Sequence, residues 1–199
     1  MQYEIPPDAP VDARVNARAW NHIAAQDTPA PGQVPERIEW TCWPGRGPGA
    51  GFLGDLTGRR VAELGCGTGE HTAYAAAHGA RLAVGIDVAA QRIATARARF
   101  GHLPALAWRV GDAAAVLAGL PRLDVCFSIY GALWYADPAQ LLPVTANRLG
   151  PGGLLAFSVN APPPRRTVRP PGGQPHPRRR RPAPGRPLRL RRRHLATSP

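Results

Sequence analysis

Apolar and polar positions follow two patterns along this chain, a helical one near the N-terminus and a strand–helix alternation from position 59 onwards. Apolar residues at positions 11, 15, 19, 20 and 23 have helical spacing, which predicts an amphipathic helix over residues 11–26. Residues 27–58 are rich in Pro and Gly and predict a loop, with a helical turn near Pro35–Trp40 and a short helix at Gly51–Leu56. Residues 1–58 should therefore form a helix and a cap or lid over the domain that follows.

From position 59, short apolar runs alternate with helical segments. The strand candidates are Arg60–Glu63, Arg81–Ile86, Ala105–Val110, Leu123–Ile129 and Leu154–Val159. The helix candidates are Glu70–His78, Ala90–Phe100, Ala113–Ala118 and Pro138–Leu149. Strand runs that are apolar throughout are typical of a parallel sheet covered by helices on both faces. The predicted fold class is α/β, a Rossmann-like doubly wound and mostly parallel sheet, over residues 59–160.

The segment Glu63-Leu64-Gly65-Cys66-Gly67-Thr68-Gly69 lies between the first strand and the first helix of this alternation. Glycines at alternate positions let the backbone turn sharply and approach a ligand closely. The amides at the start of the next helix favour an anionic group. A dinucleotide fingerprint G-x-G-x-x-G starting at Gly65 would need glycine at position 70, where Glu70 stands, so NAD binding is disfavoured.

The pattern E-x-G-x-G-x-G resembles motif I of the class I S-adenosylmethionine-dependent methyltransferases, and the resemblance extends over residues 59–160. It implies S-adenosyl-L-methionine as cofactor, at a site at the carboxyl ends of the strands. The positions that the resemblance assigns to the cofactor in this first motif are Glu63, Gly65, Cys66, Gly67 and Gly69.

Two further turns match the family at strand ends. Asp87 lies about twenty residues beyond the glycine loop, and a carboxylate there can accept two hydrogen bonds from a ribose diol. The resemblance implies that Asp87 holds the ribose hydroxyls and that Val88 packs on the adenine. In Gly111-Asp112-Ala113 it implies that Asp112 accepts from the adenine amine, aided by the Ala113 amide.

The segment that follows the fourth strand, Ser128–Trp134, resembles the part of the family site that lines the methionine end of the cofactor, with Ser128 as a contact. Because only a short loop follows, a small-molecule methyl acceptor is expected, with in-line methyl transfer. No catalytic dyad stands out, so the catalytic residues are unassigned. The candidates for a base are Tyr130, Tyr135, Asp137 and His22.

Several aromatic residues have two interpretations each. His71 could contact cofactor or substrate, or be a solvated helix histidine. Trp20, Trp40 and Trp43 could form an aromatic lid, or simply pack the N-terminal extension.

The net positive charge of the chain lies entirely in its C-terminal segment. Residues 161–199 contain twelve Arg, eleven Pro and no acidic residue, so they account for the whole net charge of +12, and the body is neutral. Such a segment predicts a disordered tail. As an Arg-rich arm it could bind RNA or DNA, which gives the alternative of a nucleic-acid methyltransferase or a nucleic-acid-binding module; the body itself offers no basis for that partner.

The end of the pattern at Val159-Asn160 suggests a shortened domain, because the family's sheet continues with two more strands and residues 161–199 predict none. The Arg/Pro composition of the tail fits the translation of a GC-rich coding sequence out of frame. An inactive, truncated methyltransferase is therefore a further alternative.

Cellular location and metal content follow from what the sequence lacks. Residues 1–7 have no signal-peptide pattern, and no apolar run reaches membrane-spanning length. Cys42, Cys66 and Cys126 have no metal-ligand spacing, so free thiols, a cytoplasmic location, no metal and no membrane partner are expected. The oligomeric state is left open.

Overall fold

A five-stranded parallel sheet organises the protein. A computed structural model describes residues 8–24 and 32–160, and the predicted disordered tail at 161–199 lies outside the described residues. The strands are β1 (Arg60–Leu64), β2 (Leu82–Asp87), β3 (Leu106–Val110), β4 (Leu123–Ile129) and β5 (Leu149–Ser158). They lie side by side in the order β3-β2-β1-β4-β5, and every neighbouring pair is parallel. This arrangement confirms the predicted α/β fold class.

Helices follow the strands as the alternation predicts. The helices are α1 (Val11–Ala24), α2 (Glu70–Ala77), α3 (Ala90–Phe100), α4 (Ala113–Ala118), α5 (Ala132–Tyr135) and α6 (Pro138–Arg148), with a 3-10 helix at Gly49–Leu53. Asp112 and Asp137 begin α4 and α6, where their carboxylates accept backbone N–H bonds from Ala115 and Ala139 at 2.9 Å each. Such caps satisfy amides that have no partner within the first turn of a helix.

Both faces of the sheet are covered, because consecutive residues of β1 belong to different clusters of the core. Val61 packs with Ile38, Trp40 and Phe127. Leu64 packs on the other side, in the cluster that contains Ile86, Leu117 and Leu141. Since side chains of a strand alternate between faces, a strand buried on both sides reads as an unbroken apolar run.

The N-terminal extension differs from its prediction in two respects, the first being that the short helix expected at Gly51–Leu56 is a 3-10 helix at Gly49–Leu53. No helical turn forms at Pro35–Trp40, so that prediction was wrong; the segment is irregular, and Ile38 and Trp40 are buried at 0% and 4% exposure. The indole Nε1–H of Trp40 donates to the Gly49 carbonyl at 2.7 Å. Packing on the sheet therefore determines the path of this segment more than local propensity does.

Two other segments were misassigned. β5 begins at Leu149, whereas the prediction ended the preceding helix there, because Leu149 pairs with Leu123 before a register shift brings Leu154 opposite Val125. Gly152 lies within this shift with φ +76°, a conformation that glycine adopts without strain. The segment after β4 was expected to be a loop, and it contains the short helix α5.

The parallel strands all end at one edge of the sheet, and the turns after them are collected there. α1 lies close to α3 and to the start of α6 at this same edge, through hydrogen bonds from Gln91 N–H to Asn21 Oδ1 and from Asp137 N–H to Asp12 Oδ2. Among the described residues, no helix is long and apolar enough to cross a membrane.

Candidate functional site

A cavity of about 270 Å³ lies at the carboxyl edge of the sheet, beneath α1. One side consists of strand-end turns, which we call the strand-end wall: Glu63, Gly65, Cys66, Gly67, Asp87, Val88, Gly111, Asp112 and Ala113. A second group of lining residues, which we call the aromatic wall, consists of Asp12, Asn16, Trp20, Tyr130 and Tyr135. Eight of the ten predicted cofactor positions line this cavity: Glu63, Gly65, Cys66, Gly67, Asp87, Val88, Asp112 and Ala113.

The glycine loop forms the part of the strand-end wall that follows β1. Gly65 and Gly67 have φ values of +79° and +54°, the left-handed region that favours glycine. A Cβ at Gly65 would also lie 2.7 Å from the Cα of Gly131, so the turn after β1 and the turn after β4 touch through backbone alone. Gly65 therefore has two physical reasons to be glycine, its conformation and its close contact.

Asp87 joins the glycine loop to the end of β2. Its Oδ2 accepts from the Gly67 N–H and its Oδ1 from the Ala89 N–H, both at 2.8 Å. Burial raises the pKa of Asp87, and it outweighs the opposing effects of these two hydrogen bonds and of the Arg92 charge. Each carboxylate oxygen keeps a second lone pair for a ligand.

Glu63 and His71 form a buried pair beside the loop. Glu63 is 3% exposed; its Oε2 accepts from Thr72 Oγ1 at 2.5 Å, and its Oε1 lies 3.4 Å from His71 Nδ1. The Glu39 N–H donates to His71 Nε2 at 3.4 Å, which fits a neutral imidazole with its proton on Nδ1. His71 lines the cavity with 21% of its side chain exposed, so the interpretation as a solvated helix histidine was wrong.

The pKa of His71 responds to opposing influences. Burial lowers it, but the hydrogen bond to Glu63 and the negative charges of Glu63, Glu70 and Glu39 outweigh burial, and the pKa is raised above its ordinary value. His71 also connects the glycine-loop region to the N-terminal segment through the Glu39 amide. Its protonation is therefore coupled to the attachment of that segment.

Two predicted positions, Gly69 and Ser128, lie outside the described lining of the cavity. A Cβ at Gly69 would come 2.5 Å from the indole of Trp108, so this glycine makes room for a ring beneath the loop. Ser128 is fully buried; its hydroxyl donates to the Leu64 carbonyl at 2.7 Å and accepts from the Leu133 N–H at 3.3 Å. Both residues shape the turns that carry the cavity.

Asp112 combines two tasks. Its Oδ1 caps α4, while the residue also lines the cavity together with Ala113. The cap uses one lone pair of Oδ1, so the carboxylate of Asp112 keeps acceptor capacity for a ligand.

The aromatic wall joins residues that are far apart in sequence. The rings of Trp20 and Tyr135 meet edge to face with centroids 5.5 Å apart, and Asn16 Nδ2 donates to the Tyr135 carbonyl at 3.3 Å. Tyr130 has φ +48°, an uncommon conformation for a residue with a side chain, and its N–H donates to the Ser158 carbonyl at 3.0 Å. Of the four predicted base candidates, Tyr130 and Tyr135 line this cavity, whereas Asp137 caps α6 and His22 is solvent-exposed.

The three tryptophans predicted as a possible lid lie in different parts of the structure. Trp20 lines the cavity, Trp40 is buried in the core at 4% exposure, and Trp43 is 69% exposed. Sequence reasoning missed Asp12, Ala13 and Asn16, which also line the cavity. The helical pattern of α1 indicates an apolar face, but no local signal says that this helix lies across the ends of the strands.

The charges around the cavity are mainly negative. Five carboxylates line it in the described chain: Asp12, Glu63, Glu70, Asp87 and Asp112. The basic groups that line it are Arg92, whose charge lowers the pKa of Asp87, and His71, paired with Glu63. Glu70 is also ion-paired with Arg99. A ligand with a net positive charge is favoured in such a cavity.

Comparison with known proteins agrees with this geometry. The family described as "Methyltransferase domain" matches residues 61–153, so this chain carries a class I S-adenosylmethionine-dependent methyltransferase domain, and S-adenosylmethionine is the cofactor of that domain. The match includes the whole glycine loop and the turns after β2, β3 and β4.

Relatives of assigned function match the same part of the chain. A trans-aconitate 2-methyltransferase of Methylobacterium nodulans is 37% identical over 101 residues, covering 50% of this chain and 38% of that protein. A ubiquinone biosynthesis O-methyltransferase of Neisseria meningitidis is 34% identical over 110 residues, covering 53% of this chain and 45% of that protein. The chain thus spans less than half the length of these relatives.

Among solved structures, a putative S-adenosylmethionine-dependent methyltransferase from Listeria monocytogenes is similar, with 25% identity and a TM-score of 0.49 over 53% of this chain and 49% of that one.

The residues of the cavity fit this cofactor. S-adenosylmethionine carries a positive sulfonium, a positive ammonium and a negative carboxylate, so its net charge is opposite to that of the lining. Its ribose diol needs hydrogen-bond acceptors, and both Asp87 oxygens keep acceptor capacity.

Proposed function

We propose that this chain is an S-adenosylmethionine-dependent methyltransferase that acts on a small-molecule acceptor by in-line methyl transfer. The observation that carries the proposal is the hydrogen bond between Asp87 Oδ2 and the Gly67 N–H at 2.8 Å. It fixes an acid at the end of β2 against the glycine loop, as a ribose-binding carboxylate requires. The names of two relatives support a small acceptor, because they refer to trans-aconitate and to ubiquinone biosynthesis.

The strand-end wall would hold the cofactor. Asp87 would accept from the ribose hydroxyls, Val88 would pack on the adenine, and Asp112 with the Ala113 amide would pair with the adenine edge. Glu63, Gly65, Cys66 and Gly67 would surround the methionine portion. Gly69 and Ser128 would act indirectly, by shaping the turns.

The chain's own contribution to the reaction is positioning and the exclusion of water. When bound, S-adenosylmethionine supplies a methyl group whose carbon–sulfur bond breaks with its electron pair left on sulfur, while an acceptor lone pair forms the new bond to carbon. α1 covers the cavity through Asn21 at one end and Asp12 at the other. Such a cover holds the acceptor in line and keeps water away from the reacting atoms.

Isothermal titration of the 199-residue protein with S-adenosylhomocysteine tests this proposal. We expect a single site with micromolar affinity or better, and no measurable heat with NAD under the same conditions, because Glu70 replaces the glycine of the dinucleotide fingerprint. Absence of S-adenosylhomocysteine binding, or equal binding of NAD, would contradict the proposal.

A further inference from the structure

We propose that the methyl acceptor is a small, uncharged aromatic compound whose hydroxyl donates a hydrogen bond to Asp12, and that the aromatic wall disfavours polycarboxylates. This inference rests on the proposed function and specifies the acceptor of the same site. It follows from what the aromatic wall is made of and from the charges that surround it.

The shape of the wall favours a planar molecule. Three of its five members, Trp20, Tyr130 and Tyr135, are aromatic; Trp20 meets Tyr135 edge to face, and the Arg92 guanidinium lies over the Trp20 ring, 5.4 Å from its centroid. Tyr135 is 39% exposed, so the wall reaches the solvent at this point and a small molecule can enter there. The backbone of Tyr130 is fixed by its bond to Ser158, which gives this ring a defined place.

The single formal charge of the wall is negative. Asp12 Oδ1 accepts from the Ala13 N–H at 2.9 Å and Oδ2 from the Asp137 N–H at 3.1 Å, so the carboxylate is held in place at the start of α1. Each oxygen keeps a lone pair for a donor on the acceptor molecule. A hydroxyl suits this group, whereas a second carboxylate beside it would be repelled.

The rest of the cavity does not offset this charge. Glu63, Glu70, Asp87 and Asp112 add further negative charge. Arg92 lies over the Trp20 ring and also lowers the pKa of Asp87, so one arginine faces five carboxylates in the described lining, and His71 is paired with Glu63. A tricarboxylate at the aromatic wall would therefore meet a negative field, which one bound cofactor of net charge near +1 offsets only in part.

The charge of the acceptor distinguishes two of the relatives. One relative is named for trans-aconitate, which carries three carboxylates, and another for O-methylation in ubiquinone biosynthesis. The aromatic wall and Asp12 favour an oxygen on an aromatic ring as the methyl acceptor of this chain. The new oxygen–carbon bond would form as the carbon–sulfur bond of the cofactor breaks, and the hydroxyl proton would pass to the Asp12 carboxylate that accepts its hydrogen bond.

The test uses the full chain loaded with S-adenosylhomocysteine, with catechol and trans-aconitate as probes in calorimetry, followed by methyl-transfer assays with S-adenosylmethionine. We expect catechol to bind and to be methylated with at least about 10-fold higher kcat/KM than trans-aconitate. The variant Asp12→Asn keeps an acceptor for the Asp137 amide but loses the charge. It should raise the KM for catechol about 10-fold or more, and it should reduce the discrimination against trans-aconitate.

Asp55→Asn is the matched control, because Asp55 is a carboxylate that lies outside the cavity lining and bonds the Thr57 amide. This variant should change neither the binding nor the methylation of either probe. The proposal is overturned if trans-aconitate binds as well as catechol, if neither probe binds the loaded protein, or if Asp12→Asn and Asp55→Asn behave alike. Failure to bind S-adenosylhomocysteine would overturn the proposed function as well, so the two failures are distinguishable.

Discussion

The two walls of the cavity are built in different ways. The strand-end wall consists of turns directly after β1, β2 and β3, in which backbone amides and short side chains are fixed by the sheet. The aromatic wall brings α1 against the segment after β4, and the hydrogen bond from Asn16 to Tyr135 joins residues 119 positions apart. The strand-end wall is rigid because its turns are attached directly to the sheet. The aromatic wall depends on a few polar contacts and one pair of rings. Cofactor binding and acceptor binding should therefore respond differently to mutation.

The largest effect is expected where the turn after β1 touches the turn after β4. In Gly65→Ala the new methyl group would overlap the Gly131 backbone in a left-handed conformation, so we expect a loss of unfolding free energy of about 3 kcal/mol and at least about 100-fold weaker S-adenosylhomocysteine binding. Thermal unfolding and calorimetry measure both.

Gly58→Ala is the control for this change. Gly58 has φ +68° but no atom within 4 Å of an added Cβ, so it has a positive φ without the collision. We expect about 1 kcal/mol of destabilisation and unchanged affinity. Equal behaviour of the two variants would show that the contact with Gly131 is unimportant.

A smaller effect is expected within the strand-end wall. Asp87→Asn replaces one of the two carboxylate oxygens that accept from Gly67 and Ala89 by a donor, so S-adenosylhomocysteine affinity should fall about 10- to 100-fold. Because burial disfavours the charged form of Asp87, the stability of the protein without ligand should change less than its affinity. A variant that binds with unaltered affinity would remove Asp87 from the ribose site.

Substitution of His71, the partner of Glu63, tests the connection between the glycine loop and the N-terminal segment. The folded protein binds the His71 proton more tightly than the unfolded chain, since the pKa is raised above 6.5 in the folded state. This stabilising contribution is full below pH 6.5 and is lost as the pH rises through the folded pKa. The Tm of the wild type should therefore fall relative to that of His71→Gln over this range.

His71→Asn provides a comparison with His71→Gln. The asparagine amide can replace the Nδ1–H donor to Glu63, while the glutamine oxygen can replace the Nε2 acceptor of the Glu39 amide. Each should cost about 1 kcal/mol. If both variants keep the pH dependence of the wild type, another group is responsible for it.

The smallest effect is expected at the far end of α1. Asn21→Ala removes the bond to the Gln91 amide and should cost about 0.5–1 kcal/mol, with a rise of a few-fold in acceptor KM and little change in S-adenosylhomocysteine affinity. Arg18→Ala, on the exposed side of the same helix, is the control. Equal losses of cofactor and acceptor binding in Asn21→Ala would show that the two walls are not independent.

The strand-end wall was largely predictable from sequence, for a physical reason. Turns that directly follow buried parallel strands must meet at one edge, so Gly65, Asp87 and Asp112 could be placed together from the order of the strands. Gly69 and Ser128 lie in the same motifs, yet their surroundings, Trp108 and the Leu64 carbonyl, come from other strands. A motif specifies the path of the backbone better than it specifies which side chains face the cavity.

The aromatic wall was not predictable in the same way. The amphipathic pattern of α1 predicted the helix, but Asp12 and Asn16 acquire their place only through tertiary contacts with Asp137 and Tyr135. The path of Ile38–Trp40 and the early start of β5 were mispredicted for a similar reason, because burial against the sheet and pairing with Leu123 outweigh local propensity.

The ring of Trp108 lies beneath two glycines, Gly69 and Gly85, at each of which a Cβ would come within 2.5 Å of the indole. These three positions occupy one shared volume, so none of them can change size alone. Among related sequences a smaller side chain at position 108 should accompany alanine or serine at position 85. In the laboratory, Trp108→Leu should recover part of the stability lost in Gly85→Ala but not that lost in Gly69→Ala, because Gly69 has φ +89° and an added Cβ there would also meet Ala96.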